Sequence, residues 1–163
     1  MIPRYVTASV ALDYNTVVGG DKFGNIFVCR LPADASREVE DDPTGGGLLA
    51  AGGNGADRGG APHKLDPACS FHLGDTVTSV SRTTMQPGVK EVVLYVTVLG
   101  EIGALVPLTS KEDADFFSHL EMHLRQDNPP LCGRDHLSFR SSYNPVRNVI
   151  DGGLCEQLSL IHI

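Results

Sequence analysis

The chain has 163 residues, enough for one ordinary domain or for a piece of something larger, and 41% of them are hydrophobic, which allows a sizeable core. Thirteen Lys and Arg against 20 Asp and Glu leave a formal net charge of -7, which disfavours a phosphate-neutralising surface and, with it, direct DNA or RNA binding. The 4 cysteines, Cys29, Cys69, Cys132 and Cys155, show no CxxC pair and no His at metal spacing. They read as buried small hydrophobes in a reducing compartment, with neither a zinc site nor a disulfide framework.

Met1-Ile2-Pro3-Arg4-Tyr5 leads directly into a strand pattern with no signal peptide, and the longest apolar run, residues 92–99, is too short to cross a bilayer. A cytosolic or nuclear protein without a membrane partner is expected. Residues 5–12, 16–20 and 25–31 are rich in Val, Ile, Thr and aromatics and predict three short strands. Asp13-Tyr14-Asn15 supplies side chains that close an Asx turn, and Asp21-Lys22-Phe23-Gly24-Asn25 places Gly24 where a bulged hairpin needs positive φ. The glycines here are not a phosphate loop, because the Gly-x4-Gly-Lys-Ser/Thr order is missing and strands flank both sides.

Residues 34–66 change character. Gly45-Gly46-Gly47, Gly52-Gly53-Asn54-Gly55 and Gly59-Gly60 fill a span that cannot bury enough apolar surface to offset its ordering entropy, so a disordered inter-strand loop is expected. The acidic run Glu38-Val39-Glu40-Asp41-Asp42 reads as part of that solvated loop, with an acidic docking tail as the sharper alternative. Strand patterning returns at residues 69–73, 76–84, 91–99 and 101–108, with turns at Gly74-Asp75, Gln86-Pro87-Gly88 and Gly100. This spacing is the rhythm of antiparallel propeller blades. Val92-Val93-Leu94-Tyr95-Val96 lacks alternation, which suits a strand covered on both faces.

Ser110-Lys111-Glu112-Asp113 resembles a capping box, with Asp in place of Glu or Gln, and opens a helix predicted to end near Gln126. Phe116, Phe117, Leu120 and Leu124 form its apolar face, and Asn128-Pro129-Pro130 stops it. His119 and His123 lie one turn apart, a metal-compatible spacing, but the His-Glu-x-x-His order is absent and no third ligand is evident. Neither a metal nor another cofactor is expected.

Residues 129–143 have neither helical nor strand periodicity and read as a placed surface loop that serves recognition. Asp135, His136, Ser138 and Ser141 lie close in sequence, but no Gly-x-Ser-x-Gly elbow holds a serine, so a hydrolase is not expected. Turn capping is the ordinary role for Asp135 and His136. Arg134 and Arg140 have the planar fork that grips carboxylates on a partner protein. The candidate partner-binding residues are Arg134, Asp135, His136, Arg140 and Tyr143.

Asp21-Lys22-Phe23-Gly24-Asn25-Ile26, Asp42-Pro43-Thr44-Gly45, Asp115-Phe116-Phe117, Glu121-Met122-His123-Leu124-Arg125, residues 129–141, Asn148-Val149-Ile150-Asp151-Gly152 and Leu154-Cys155-Glu156-Gln157 also carry a family resemblance. Through them the chain resembles the large propeller subunits of the splicing factor 3b, cleavage and polyadenylation, and damaged-DNA-binding complexes; residues 131–141 favour the splicing branch. It departs at Gly153, where that branch has an Asp, at Asn144, where it has an aromatic, and over residues 33–66. The resemblance implies a mainly β fold: the last blades of a third propeller, then an α-helix and the start of a helical carboxy-terminal domain. Blades with a Gly-rich loop are expected over residues 1–109 and the helical part over 110–157. Residues 158–163 equal one reading frame of a transposase mosaic-end adapter and are read as a scar.

The function implied is a nuclear, non-catalytic scaffold of the splicing factor 3b complex in the U2 small nuclear ribonucleoprotein, acting in branch-site recognition. Its implied partners are the helical-repeat largest subunit and a small subunit, with U2 small nuclear RNA and pre-mRNA held indirectly. A 3′-end-processing subunit or a ubiquitin-ligase adaptor would keep this fold, whereas a hydrolase or metalloenzyme would need Ser138, His119 or His123. Blades without ring neighbours leave edges and apolar faces unpaired, so these residues are not expected to fold alone.

Overall fold

The computed structural model describes residues 5–33, 37, 41, 65–85, 87–88, 90–127 and 148–161. Among the described residues, β1 (Val6–Ala11), β2 (Thr16–Asp21), β3 (Asn25–Arg30) and β4 (Asp66–His72) form an antiparallel sheet in the order β1-β2-β3-β4. A second antiparallel sheet follows, β5-β6-β7, from β5 (Val77–Thr83), β6 (Val92–Thr97) and β7 (Ile102–Leu105). Two consecutive meanders of short strands are consistent with a partial β-propeller.

Alternation along the strands builds the core. In the first sheet Val10 pairs with Val18, Val18 with Val28, and Ile26 with Phe71, so their side chains share one face. The second sheet contributes Val80 opposite Tyr95 and Val93 opposite Leu105. Val18, Ile26, Phe71, Val77, Val93 and Tyr95 merge into one cluster, against which Ala8, Val10, Val28, Val80 and Leu105 pack. Strand β6 is the middle strand of its sheet and buries Val92, Val93, Tyr95 and Thr97, as its unalternating sequence predicts.

The sheets approach at Gly20, where an added Cβ would lie 2.4 Å from the Cβ of Val77. A Cβ on Gly103 would lie 2.1 Å from the Tyr95 ring, so the missing side chain there seats the tyrosine. The hairpin glycine Gly24 has φ 81°, in the left-handed region its turn requires.

Two strand boundaries, and the burial of the cysteines, differ from the sequence pattern. Strand β4 starts at Asp66, earlier than predicted, because Cys29↔Pro67 and Arg30↔Asp66 extend its ladder past a bulge; Pro67 is tolerated on an edge strand. Strand β7 ends at Leu105, before Pro107, which has no N–H to donate. Cys29, Cys69 and Cys155 are half-buried rather than buried; Cys29 lies near the end of β3 and Cys69 on the edge strand β4. Cys132 and residues 34–36, 38–40 and 42–64, the bulk of the expected Gly-rich loop, lie outside the described residues.

Helix α1 (Lys111–Asp127) starts where expected: the Asp113 N–H donates to Ser110 Oγ at 3.4 Å. Its apolar stripe is only partly used. Leu124 is buried and Leu120 half-buried, but Phe116 is 62% exposed, because α2 (Gly152–Ile161) packs against α1 while nothing described covers the phenylalanines. The backbone of α2 continues as helix through residues 158–161.

Gly20→Ala should destabilise the junction by about 1–3 kcal/mol, the usual cost of overpacking. Gly152→Ala, whose Cβ meets nothing within 4 Å, should be neutral or slightly stabilising. Amide-exchange protection of β2 and β5 in the full-length protein checks both.

Candidate functional site

The best-defined polar assembly joins the two sheets. Asp21, at the end of β2, is 1% exposed, and its carboxylate organises the hairpin that follows. Its Oδ1 accepts from the Phe23 and Asn25 backbone N–H groups, each at 2.9 Å, and its Oδ2 accepts from Asn25 Nδ2 at 2.9 Å. A buried carboxylate is tolerable only when so satisfied. Asn25 has its amide N–H2 turned to Asp21, so its Oδ1 faces His72 Nδ1 at 2.9 Å, and that ring nitrogen carries the hydrogen.

This Asp21-Asn25-His72 chain ties the β2–β3 hairpin to the end of β4. The connection to β5 uses the same hairpin: Gly24 O accepts from the Leu73 N–H at 2.7 Å, and Thr76 Oγ1 donates to Lys22 O at 2.9 Å. Thr7 Oγ1 on β1 donates to Val77 O. On the outside, Lys22 Nζ sits 3.8 Å from the centre of the Tyr5 ring, which meets Phe23 edge-on at 5.9 Å.

Asp75 repeats the device at the β6–β7 turn. Its carboxylate accepts from the Thr76 N–H at 2.7 Å and the Leu99 N–H at 2.8 Å. The Thr97 hydroxyl first, then the Leu99 and Thr76 N–H groups, hold its carboxyl below the ordinary carboxylate value.

A second joint fixes the helices. Asn148, at φ 52°, donates through Nδ2 to Ala68 O of β4 at 2.9 Å, and Val149 packs on the core cluster. The Asp151 N–H donates to Glu121 Oε1 of α1 at 3.3 Å, while Asp151 Oδ1 caps α2 by accepting from the Leu154 N–H at 3.2 Å.

The sequence-predicted partner residues Arg134, Asp135, His136, Arg140 and Tyr143, with Ser138 and Ser141, lie outside the described residues. His119 and His123 are exposed on α1, and no group of three or more His, Cys, Asp or Glu able to hold a metal occurs among the described residues. Burial pushes the Cys69 thiol up; burial, then Glu121 and Asp151, push Cys155 up, which lowers the thiolate fraction of both. No described helix is long and apolar enough to cross a membrane.

Two interlocked β-meanders with carboxylate-closed turns and a strapped-on helix pair define a structural module of propeller type, and the family comparison agrees. The model of the CPSF A subunit region matches residues 1–160, and the chain belongs to that family. It is similar to the probable splicing factor 3B subunit 3 of Dictyostelium discoideum, with 57% identity over 99% of this chain and 13% of that protein. It is also 54% identical to spliceosome-associated protein 130 A of Arabidopsis thaliana, over 96% of this chain and 13% of the relative. Splicing factor 3B subunit 3 of Drosophila melanogaster is 53% identical over 95% of this chain and 12% of its own length. The chain thus spans roughly an eighth of these relatives.

Asp21→Ala leaves three N–H donors without their acceptor and should cost on the order of 3 kcal/mol. The expected readout is lost exchange protection at Phe23 and Asn25 in the full-length protein. For Asp75, a lowered folded pKa means stability that is present above the ordinary carboxylate range and disappears as pH falls through the lower folded value. The Leu99 amide resonance should follow that titration, and Asp75→Asn should abolish it.

Proposed function

We propose that this chain belongs to a non-catalytic scaffold subunit of the splicing factor 3b complex, within the nuclear U2 small nuclear ribonucleoprotein, supporting branch-site recognition in pre-mRNA splicing. The observation that carries this reading is the 50–57% identity, over nearly all of these residues, to relatives named as splicing factors. The net charge of -7 fits a subunit that works through protein surfaces, with U2 small nuclear RNA and pre-mRNA contacted by others.

In this reading the propeller part covers residues 1–109, and the helical carboxy-terminal part begins at 110 and continues to 157, with 158–163 foreign to the native chain. The helical-repeat largest subunit and a small subunit dock on protein surfaces. Arg134 and Arg140 supply bidentate contacts to carboxylates, with Asp135, His136 and Tyr143 beside them.

Immunopurification of the endogenous full-length protein tests this. Enrichment of U2 small nuclear RNA is expected in the eluate. Recovery of cleavage and polyadenylation or ubiquitin-ligase subunits in its place overturns the splicing assignment. Arg134→Ala with Arg140→Ala should reduce recovery of the largest subunit about tenfold or more, as loss of two charged interface contacts does.

A further inference from the structure

Between β7 and α1 the chain runs through Val106-Pro107-Leu108-Thr109-Ser110, which is neither strand nor helix and is exposed from 106 to 109. Pro107 fixes its own φ and has no N–H to give to a neighbouring strand. Irregular, accessible backbone of this kind is what an enzyme that modifies a side chain has to find, because its active site must enclose several consecutive residues.

The two hydroxyls of this segment are placed differently. Ser110 is half-buried and engaged, since its Oγ accepts from the Asp113 N–H and caps α1. Thr109 is exposed, and its Oγ1 accepts from Lys90 Nζ, which comes from the turn between β5 and β6. Glu91, next to that lysine, is taken by Arg82 at 3.3 Å, so the Lys90 ammonium faces a neutral hydroxyl. The same ammonium on a phosphate would make a charge-assisted bond, roughly twice as strong as a neutral one. Glu112 and Asp113 follow Thr109 in the first turn of α1, both exposed. Carboxylates just beyond a hydroxyl are the charge pattern that a kinase with a basic substrate groove selects.

We propose that Thr109 is a phosphorylation site for an acidophilic protein kinase, and that Lys90 receives the phosphate, joining the β5–β6 turn to the entry of α1. In the transfer Thr109 Oγ1 attacks the γ-phosphorus of ATP and the bond from that phosphorus to the β,γ-bridging oxygen breaks. ADP leaves, and the hydroxyl proton passes to the general base of the kinase. The product carries a charge of about −1.5 to −2 at pH 7 and three strong acceptor oxygens in place of one neutral hydroxyl. Lys90 then donates to the phosphate, and Lys111, close by in sequence, adds a second positive charge. Without the phosphate the helix pair is strapped to the first sheet through Asn148. The phosphate adds a tie to the second. This inference is independent of the splicing assignment, since it rests on Thr109, Lys90 and the first turn of α1 whatever complex the protein serves.

The test begins with the endogenous full-length protein, immunopurified in the presence of phosphatase inhibitors, digested and mapped by tandem mass spectrometry across residues 106–111. Phosphate on Thr109 is expected, and phosphatase treatment should remove it. Thr109 recovered only unmodified, or phosphate carried by Ser110 in its place, overturns the proposal. Purified full-length protein treated with an acidophilic serine/threonine kinase and ATP gives a second readout. Incorporation at Thr109 should fall strongly in Glu112→Gln, and equal incorporation in that variant overturns the acidophilic assignment. Amide exchange at residues 108–110 should slow about two- to fivefold on phosphorylation, the size an exposed charge pair gives, and Lys90→Met should abolish the slowing. Exchange that the phosphate leaves unchanged, or slows equally in Lys90→Met, overturns the pairing with Lys90.

Discussion

The junction between the two sheets depends on the carboxylate of Asp21. Buried at 1% exposure, it converts the five residues of the β2–β3 hairpin into a rigid object by accepting from two backbone N–H groups and one side-chain amide. That rigidity has a consequence beyond the hairpin, because Asn25 passes the polarity on to His72 and Gly24 offers its carbonyl to Leu73. Strand β4 therefore ends, and the path to β5 begins, at a point set by a turn some fifty residues earlier in the chain. Removing one member of such a network strands the others in a low-dielectric interior, which makes the group cooperative.

Around this polar hub, shape does the remaining work. Gly20 sits next to Asp21 and lets Val77 approach its backbone, so the polar anchor and the closest apolar contact between sheets are adjacent in sequence. On the far side of the first sheet, Asn148 and Asp151 perform the analogous task for the helices, one bonding Ala68 of β4 and the other Glu121 of α1. The helix pair is thus held to the first sheet by a four-residue strap. Such a construction suits a protein whose proposed role is to present surfaces at fixed relative positions.

Much of the local structure was legible in the sequence. The Val-, Ile- and Thr-rich segments became strands, Asp13 closed its turn on the Asn15 N–H at 2.8 Å, and Ser110 capped α1. These features depend on residues within a few positions of one another, which periodicity and turn chemistry report directly. The stripe Phe116, Phe117, Leu120, Leu124 was legible as an amphipathic face, but how much of it is covered was not, because coverage depends on where α2 lies. The candidate joints were half legible: the segments from Asp21 to Ile26 and from Asn148 to Gly152 stood out by resemblance, without any indication of what they touch.

By itself, then, the amino-acid sequence determined the strand and helix segments, the turns between them, the acidic balance and the family. Those follow from local sterics, spacing and composition. Only the tertiary structure decided that Asp21 is buried, that Gly20 and Gly103 are gaps filled by Val77 and Tyr95, that Asn148 reaches Ala68, and that β6 lies between β5 and β7. Each of these joins residues far apart along the chain, and long-range proximity is fixed by how the sheets pack, which no local pattern encodes.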